Sequence, residues 1–316
     1  MNYIKYKIFN IKKYVKKYLK QKEIDNLKLI ITLLVKDEED ILETNIRFHK
    51  AMGADGFIVT SHNSTDRTNE ILEKLKQEGI ILEIIYETDP AYNQVMFVDR
   101  MIKIAKRKYK ADWIINADAD EFYYSKDLNL KKSIIKYKKT NVNVLKVDST
   151  FYYPDNREDF LRSPYFVTRP FLKYVAEKLD ITNKPEFKGF IGSNGCTKVI
   201  HKTKGYKRIV IGNHDIKMRY KVCVEPADIV LYHYTIRNYN ESIKKVKRYK
   251  ESLKLIGKGF GVHMRKIIQE YESGELKKNY DKLYNENMKK FLIEQGVVTI
   301  DRSIPVSYTH LTLPTT

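Results

Sequence analysis

Residues 113–124 read Trp-Ile-Ile-Asn-Ala-Asp-Ala-Asp-Glu-Phe-Tyr-Tyr, a short apolar strand running into two aspartates one residue apart. In an extended chain, side chains at i and i+2 share a face, about 6.6 Å apart. Asp118 and Asp120 so placed can hold one hard divalent cation, or a cation and a ribose. The carboxyl ends of strands in an open α/β sheet are where ligands bind. A metal held there could take a diphosphate, which would make the chain an enzyme handling a nucleotide-activated substrate. The spacing alone arises readily by chance. Its meaning depends on the elements that precede it.

Those elements alternate. A strand is expected over Leu27–Val35, whose near-continuous apolar run suits burial on both faces. A helix follows over Asp40–Met52, with Gly53 as its stop. The second strand is Gly56–Thr60. The second helix is Ser64–Glu78, with Ser64, Thr65 and Asp66 as candidate caps. Ile80–Tyr86 is the third strand, Tyr92–Lys108 the third helix and Trp113–Ala117 the fourth strand. This order predicts an α/β fold with a mostly parallel sheet and right-handed crossovers. The aspartate pair then falls on the ligand edge.

Further along, residues 127–139 read as a helix and Val142–Val147 as a strand. The stretch from Phe151 to about Gly212 is irregular and rich in Tyr, Phe, Pro and Gly, which suits loops that bind substrate. Ile229–Tyr234 is a late strand, Asn240–Ile256 a basic helix, and residues 263–293 are helical and peripheral. The expected division is a basic amphipathic helix within 1–26, a main domain over 27–260, a helical extension over 261–302 and a tail over 303–316. The main domain divides into a nucleotide-sugar half (27–125) and an acceptor half (126–260). Ser303–Thr316 carries no charge, and Val306–Thr316 reads as a read-through or cloning scar, so 303–316 is expected to be non-native or disordered.

Composition narrows the class. The chain has 316 residues, 42% of them hydrophobic, enough for a sizeable core. No run of 18 apolar residues is present, and the first 25 residues have no secretory pattern. Cys196 and Cys223 are the only cysteines, too few for a disulfide scaffold or a zinc site. A cytoplasmic location is expected. The net charge of +19 fits attraction to phosphate, and fits equally a lysine-rich background. Residues 3–22 place Ile4, Ile8, Ile11, Val15 and Leu19 at helical spacing among lysines. Such a helix can lie on an anionic membrane surface at the inner face, or pack on the core with a solvated lysine face.

Two more polar turns fall on the ligand edge. Lys36-Asp37-Glu38-Glu39-Asp40 follows the first strand, and its acids can complement a helix dipole or accept hydrogen bonds from a base or ribose. Ser61-His62-Asn63-Ser64-Thr65-Asp66-Arg67-Thr68 follows the second. It can cap the helix, and Asn63 and Asp66 can also meet a nucleotide.

Taken with His49…Gly53-Ala54-Asp55 and Asp118-Ala119-Asp120-Glu121-Phe122, these turns resemble a glycosyltransferase family 2-type protein, of the branch related to family 92. The resemblance extends through Lys198-Val199-Ile200-His201, His214 and Tyr232-His233-Tyr234, over roughly residues 28–255. It implies a GT-A fold, a nucleotide-binding βα sandwich with a metal-binding Asp-x-Asp. It implies nucleotide-sugar contacts at Asp37, Glu38, Asn63, Asp66 and Asp118, and a Mn²⁺ or Mg²⁺ ion on Asp120 and Asp118. A late histidine, His233 or failing that His214, is a further ligand. The family usually has Asn at the position of Asp37 and Asp at that of His62. The implied reaction moves a sugar from a nucleotide-diphosphate sugar to a glycan or lipid-linked acceptor with inversion, as in cell-surface polysaccharide biosynthesis. Inversion requires a base, for which Glu121 and Asp215 are both candidates. Lys244, Lys245, Lys247 and Arg248 could assist the leaving group or form a solvated helix face. Nucleotidylyl transfer would want a Gly-rich basic loop after the first strand, and a phosphatase would place its Asp-x-Asp there. A basic nucleic-acid-binding protein is the remaining alternative, although no nucleic-acid-binding motif is present.

Overall fold

The structure is a computed structural model that describes residues 17–89, 93–167, 178, 197–253 and 262–312. Three βα repeats and a fourth strand build its first half. Strands β1 (Leu29–Val35), β2 (Gly56–His62), β3 (Ile81–Glu87) and β4 (Trp113–Ala117) are all parallel, in the order β4-β1-β2-β3. Helices α1 (Leu42–Ala51), α2 (Thr68–Gln77) and α3 (Gln94–Arg107) connect them. β1 and β2 are buried almost throughout, which explains their unbroken apolar runs. Each of the seven sequence-based elements is present, the fourth strand at its expected bounds and the others with boundaries shifted by at most four residues.

The second half extends the same sheet with mixed pairing. β5 (Glu121–Tyr124), α4 (Leu130–Ile134), β6 (Val144–Tyr152), β7 (Tyr165–Val167) and β8 (Thr197–Lys202) come first. β9 (Tyr206–Ile209) and β10 (Ile216–Met218) form a separate hairpin. β11 (Val224–Pro226) and β12 (Val230–His233) then return to β6. β8 lies antiparallel between β4 and β6, whereas β11 and β12 pair parallel with β6, so the second side of the sheet is mixed. The expected α/β fold of GT-A type, with helices on a largely parallel sheet, is the fold observed.

Helices α5 (Tyr239–Leu253), α6 (Val262–Glu272), α7 (Leu276–Leu283) and α8 (Glu286–Glu294) follow, then β13 (Val298–Ile300) and α9 (Ser303–Thr312). A second apolar cluster joins Phe151, Tyr153 and Val246 to Tyr280, Leu283 and Leu292, so the C-terminal helices share a core with β6 and α5.

Three expectations change. The helix read over 127–139 is shorter, a five-residue α-helix that the Asn129 side chain starts late by accepting from the Lys131 and Lys132 amides, continued by a 3-10 turn over Ile135–Tyr137. The strand read over 142–147 runs to Tyr152, since its far end pairs with β12 and β7. The uncharged segment after residue 302 is helical over Ser303–Thr312, and Ile304 is fully buried in the main core, so the expected disorder does not hold over that helix. Of the N-terminal amphipathic pattern, residues 17–25 are helical, with Leu19 exposed and Ile24 buried. Its remainder, together with Cys196, lies outside the described residues. Among the described residues, no helix is long and apolar enough to cross a membrane.

Candidate active site

The ends of β1, β2 and β4 open on one edge, and the turns after them carry the acids singled out above. Asp37 and Asn63 both adopt left-handed backbone (φ 54° and 50°), a conformation that Asp and Asn tolerate better than most residues. The two turns lock together. Asp37 Oδ1 accepts from the Thr65 amide at 2.7 Å, and Asp66 Oδ2 accepts from the Glu39 amide at 3.0 Å. Asp66 Oδ1 also accepts from the Thr68 amide, so it caps α2. The Asp37 and Asp66 carboxylates therefore bind the turns to each other. Asn63 is exposed, its amide within 3.4 Å of the Asp89 carbonyl. His62 is buried against the Phe97 ring and bonded to the Asp89 carbonyl.

Buried polar groups hold the Asp118–Asp120 turn from beneath. Asn45 on α1 is fully buried, and its amide donates to the carbonyls of Ala119 (2.9 Å) and Glu121 (2.7 Å). One turn on, His49 Nε2 accepts from the Tyr123 amide at 2.9 Å, which leaves Nδ1 to donate to the Asn45 carbonyl. Burial pushes the His49 imidazole down to about 3, so the ring is neutral, as that pattern requires.

Three charged groups then converge on the turn. The first surrounds Lys198 of β8. Its ammonium lies 3.0 Å from Asp118 Oδ2 and 2.8 Å from Glu121 Oε1, and its side chain is only 4% exposed. Burial alone would lower the ammonium, but Asp118 and Glu121 override it and keep the charge in place. Glu121 is fully buried, and its other oxygen accepts from the Asp118 amide at 3.1 Å.

The second group centres on Asp120. β12 pairs with β5 in a register that sets His233 opposite Glu121. The Tyr234 amide donates to the Asp120 carbonyl at 2.8 Å. His233 Nε2 is thereby held 3.3 Å from Asp120 Oδ1, and Lys245 Nζ lies 3.6 Å from Oδ2. Burial would raise the Asp120 carboxyl, yet His233, Lys245 and Arg237 together hold it well below the usual carboxylate range. Burial likewise disfavours the imidazolium, and Asp120 outweighs it, so His233 is raised.

The third group joins the first turn to α5. Arg237 is 4% exposed and sits 2.8 Å from Asp40 and 3.6 Å from Glu38. Arg248 Nη1 donates to the carbonyls of Lys36 and Asp37 and to Glu38 Oε1, at 2.8 to 2.9 Å. Burial nevertheless pushes the Glu38 carboxyl up to about 7, against the pull of the two arginines. The basic helix is thus divided. Lys245 and Arg248 face the acids, whereas Lys244 and Lys247 face solvent.

Of the two residues expected to include a base, Glu121 is sealed from solvent and engaged by Lys198, a geometry that shapes the turn. Asp215 is exposed in the β9–β10 connection, and its carboxylate accepts from the Ile216 amide. Among the described residues, no bond joins Asp215 to Asp118 or Asp120. His214 is also exposed and bonds the Thr197 carbonyl, whereas His233 touches Asp120. Sequence reasoning missed Asn45, Lys198 and Arg237 as site residues. Lys198 and His49 lay within the runs that carried the resemblance, but Arg237 had no local signal.

A half-parallel α/β sheet with three acidic or polar turns at its strand ends defines a GT-A-type nucleotide-binding protein. The chain belongs to glycosyltransferase family 92, whose pattern matches residues 32–295. The match bears out the relation to family 92 expected from the motifs. No curated protein matches the sequence. Among solved structures, residues 1–349 of TarS from S. aureus are 12% identical, covering 81% of this chain and 72% of that one, with a TM-score of 0.38. The chain spans 45% of a longer TarS structure. The mannosyltransferase PcManGT from Pyrobaculum calidifontis, in complex with GDP-Man and Mn²⁺, is 13% identical over 86% of this chain and 80% of that one, with a TM-score of 0.38. Glucosyl-3-phosphoglycerate synthase from Mycobacterium tuberculosis, in complex with Mn²⁺, UDP and phosphoglyceric acid, is 14% identical over 76% and 83%, with a TM-score of 0.39.

Proposed function

We propose that this glycosyltransferase is metal-dependent and moves a sugar from a nucleotide-diphosphate sugar to a glycan or lipid-linked acceptor, with inversion. The observation that carries the proposal is the meeting of Asp120 and His233 at 3.3 Å on the ligand edge. Two cis ligands on one ion with bonds of about 2.1 Å lie about 3 Å apart, so the pair fits a shared Mn²⁺ or Mg²⁺. Such ions take one or two carboxylates and leave other positions to phosphate and water. Among the described residues, no third acidic, His or Cys side chain closes a cage. That leaves the donor's phosphates as ligands.

The metal, when bound, would stabilise the negative charge of the departing diphosphate. The chain's own residues do the rest. Lys245 and Arg248, on the face of α5 turned to the crevice, add positive charge near the same oxygens. Asn63 and Glu38 are the best-disposed groups for the base or ribose, with Asp118 beside them. Asp37 and Asp66 serve that pocket by fixing its two turns. Inversion needs a base on the acceptor side, and Asp215 is the proposed one because its carboxylate is accessible. A role in building cell-surface polysaccharide is the biological setting this reading favours.

The test is a thermal-shift panel of UDP-, GDP-, CMP- and dTDP-sugars, each with and without Mn²⁺. A ligand that binds only the native state raises the melting temperature by mass action. One nucleotide sugar is expected to do so only when Mn²⁺ is present. Equal shifts without metal would exclude the metal-dependent form of the proposal. No shift with any donor would exclude nucleotide-sugar binding itself.

A further inference from the structure

Away from the acidic edge, a groove of 640 Å³ runs along the outer face of α3. That volume lies within the range of small-ligand sites. Arg100, Lys103 and Arg107 are spaced i, i+3 and i+7, so they form one stripe on the helix. Lys108 and Arg208 of β9 bring further positive charge to the same groove. The two carboxylates that line it are already engaged. Glu83 is held by Lys108 and the Tyr109 hydroxyl, and Asp99 by the Tyr206 hydroxyl and the Ile209 amide. Arg100 is paired with Glu87. Lys103, Arg107 and Arg208 have no acidic partner among the described residues. Apolar surface lies between the cations at Val95, Met96 and Ile104, with Met96 47% exposed.

We infer that this groove is a second binding site, for an anionic oligosaccharide. Its carboxylate or phosphate groups would pair with Lys103, Arg107 and Arg208, because a guanidinium fork matches both anions. The apolar faces of its sugar rings would cover Val95, Met96 and Ile104. Single-stranded nucleic acid fits less well, since its bases need aromatic platforms and, among the described residues, no aromatic side chain lines the groove. A bilayer also fits less well, because the surface is concave. The inference does not depend on which donor the acidic edge takes.

The test measures fluorescence anisotropy of a labelled oligogalacturonate octamer at physiological salt. It compares the wild-type chain, K103E/R107E/R208E, and a control of equal charge change, K132E/K282E/K290E. Saturable binding to wild type is expected, weakened at least tenfold by the groove variant and less than twofold by the control. The neutral variant K103A/R107A/R208A, expected to lose at least threefold, serves if charge reversal impairs folding. Equal weakening by both triple variants would show a diffuse field and overturn the site. So would equal affinity for a neutral maltooligosaccharide. Stronger groove-dependent binding of a 20-nucleotide single strand, or of phosphatidylserine vesicles, would overturn the ligand class.

Discussion

Removing the ammonium at position 198 separates a buried ion pair from a surface one. Lys198 touches two carboxylates that differ sharply in environment. The Asp118 side chain is 38% exposed, whereas Glu121 is fully buried. Water can screen Asp118 after Lys198→Met, so that half of the contact contributes at most about 1 kcal/mol. Glu121 has no such recourse. Stranding one partner of a buried pair costs about 3–5 kcal/mol, and most of the loss should come from Glu121. Urea unfolding of Lys198→Met should show this loss as a lowered midpoint with an unchanged slope. Adding Glu121→Gln should then restore about 2–3 kcal/mol, because the amide carries no charge to strand. A loss below about 1 kcal/mol in the single variant, or losses that simply add, would refute the reasoning.

Glu38→Gln should change how stability depends on pH. The folded carboxyl is raised to about 7 from an ordinary 4.5, so the native state holds its proton more tightly than the unfolded chain. That contribution is complete below pH 4.5 and is lost as pH rises through 7, by at most about 3 kcal/mol. The variant should therefore gain on wild type across pH 4.5–7.5 in urea melts, and parallel curves would contradict the shift. Asn45→Ala leaves two buried carbonyls without donors and should cost about 2–4 kcal/mol, measured by the same melts. For Mn²⁺, the raised His233 must give up its proton before it can ligate. Affinity measured by titration should therefore rise with pH, by up to about tenfold per unit while the imidazole is largely protonated. His233→Ala should flatten that dependence, and an unchanged profile would remove His233 from the site.

Much of the first half was legible because its signals are local. The runs of β1, β2 and β4 are mostly apolar, since both faces are covered, and the buried Thr32 and Asn116 satisfy each other by a hydrogen bond. Polar turns interrupt them at regular spacing. The Asp118–Asp120 pair gained meaning only from that repetition. The second half was less legible because its partners lie far apart in the chain. Glu121 looked like a base from its neighbours in sequence, and only β8 brings against it the Lys198 ammonium, from far along the chain. Arg237 follows a strand with no distinguishing pattern, yet reaches Asp40 nearly 200 residues earlier. The late segment that supplies Arg237, Lys245 and Arg248 resembled any basic helix. Only its packing separates the cations facing the acids from those facing water. The segment after residue 302 has no period or charge pattern that marks it as a helix, and its fully buried anchor, Ile304, meets a core assembled far away in the chain.

The central claim is that Asp120 holds a divalent ion on which a nucleoside diphosphate depends. The most direct measurement is calorimetric titration of Mn²⁺ into wild type and Asp120→Asn, with and without the nucleoside diphosphate selected by the donor panel. Wild type should bind one Mn²⁺, and more tightly with the nucleotide present. Asp120→Asn should lose at least tenfold in Mn²⁺ affinity, together with the nucleotide's effect, while a cooperative urea transition shows that the variant still folds, at a lower midpoint because His233 and Lys245 lose their buried partner. Unchanged Mn²⁺ affinity in Asp120→Asn, or nucleotide binding of equal strength without metal, would contradict the claim.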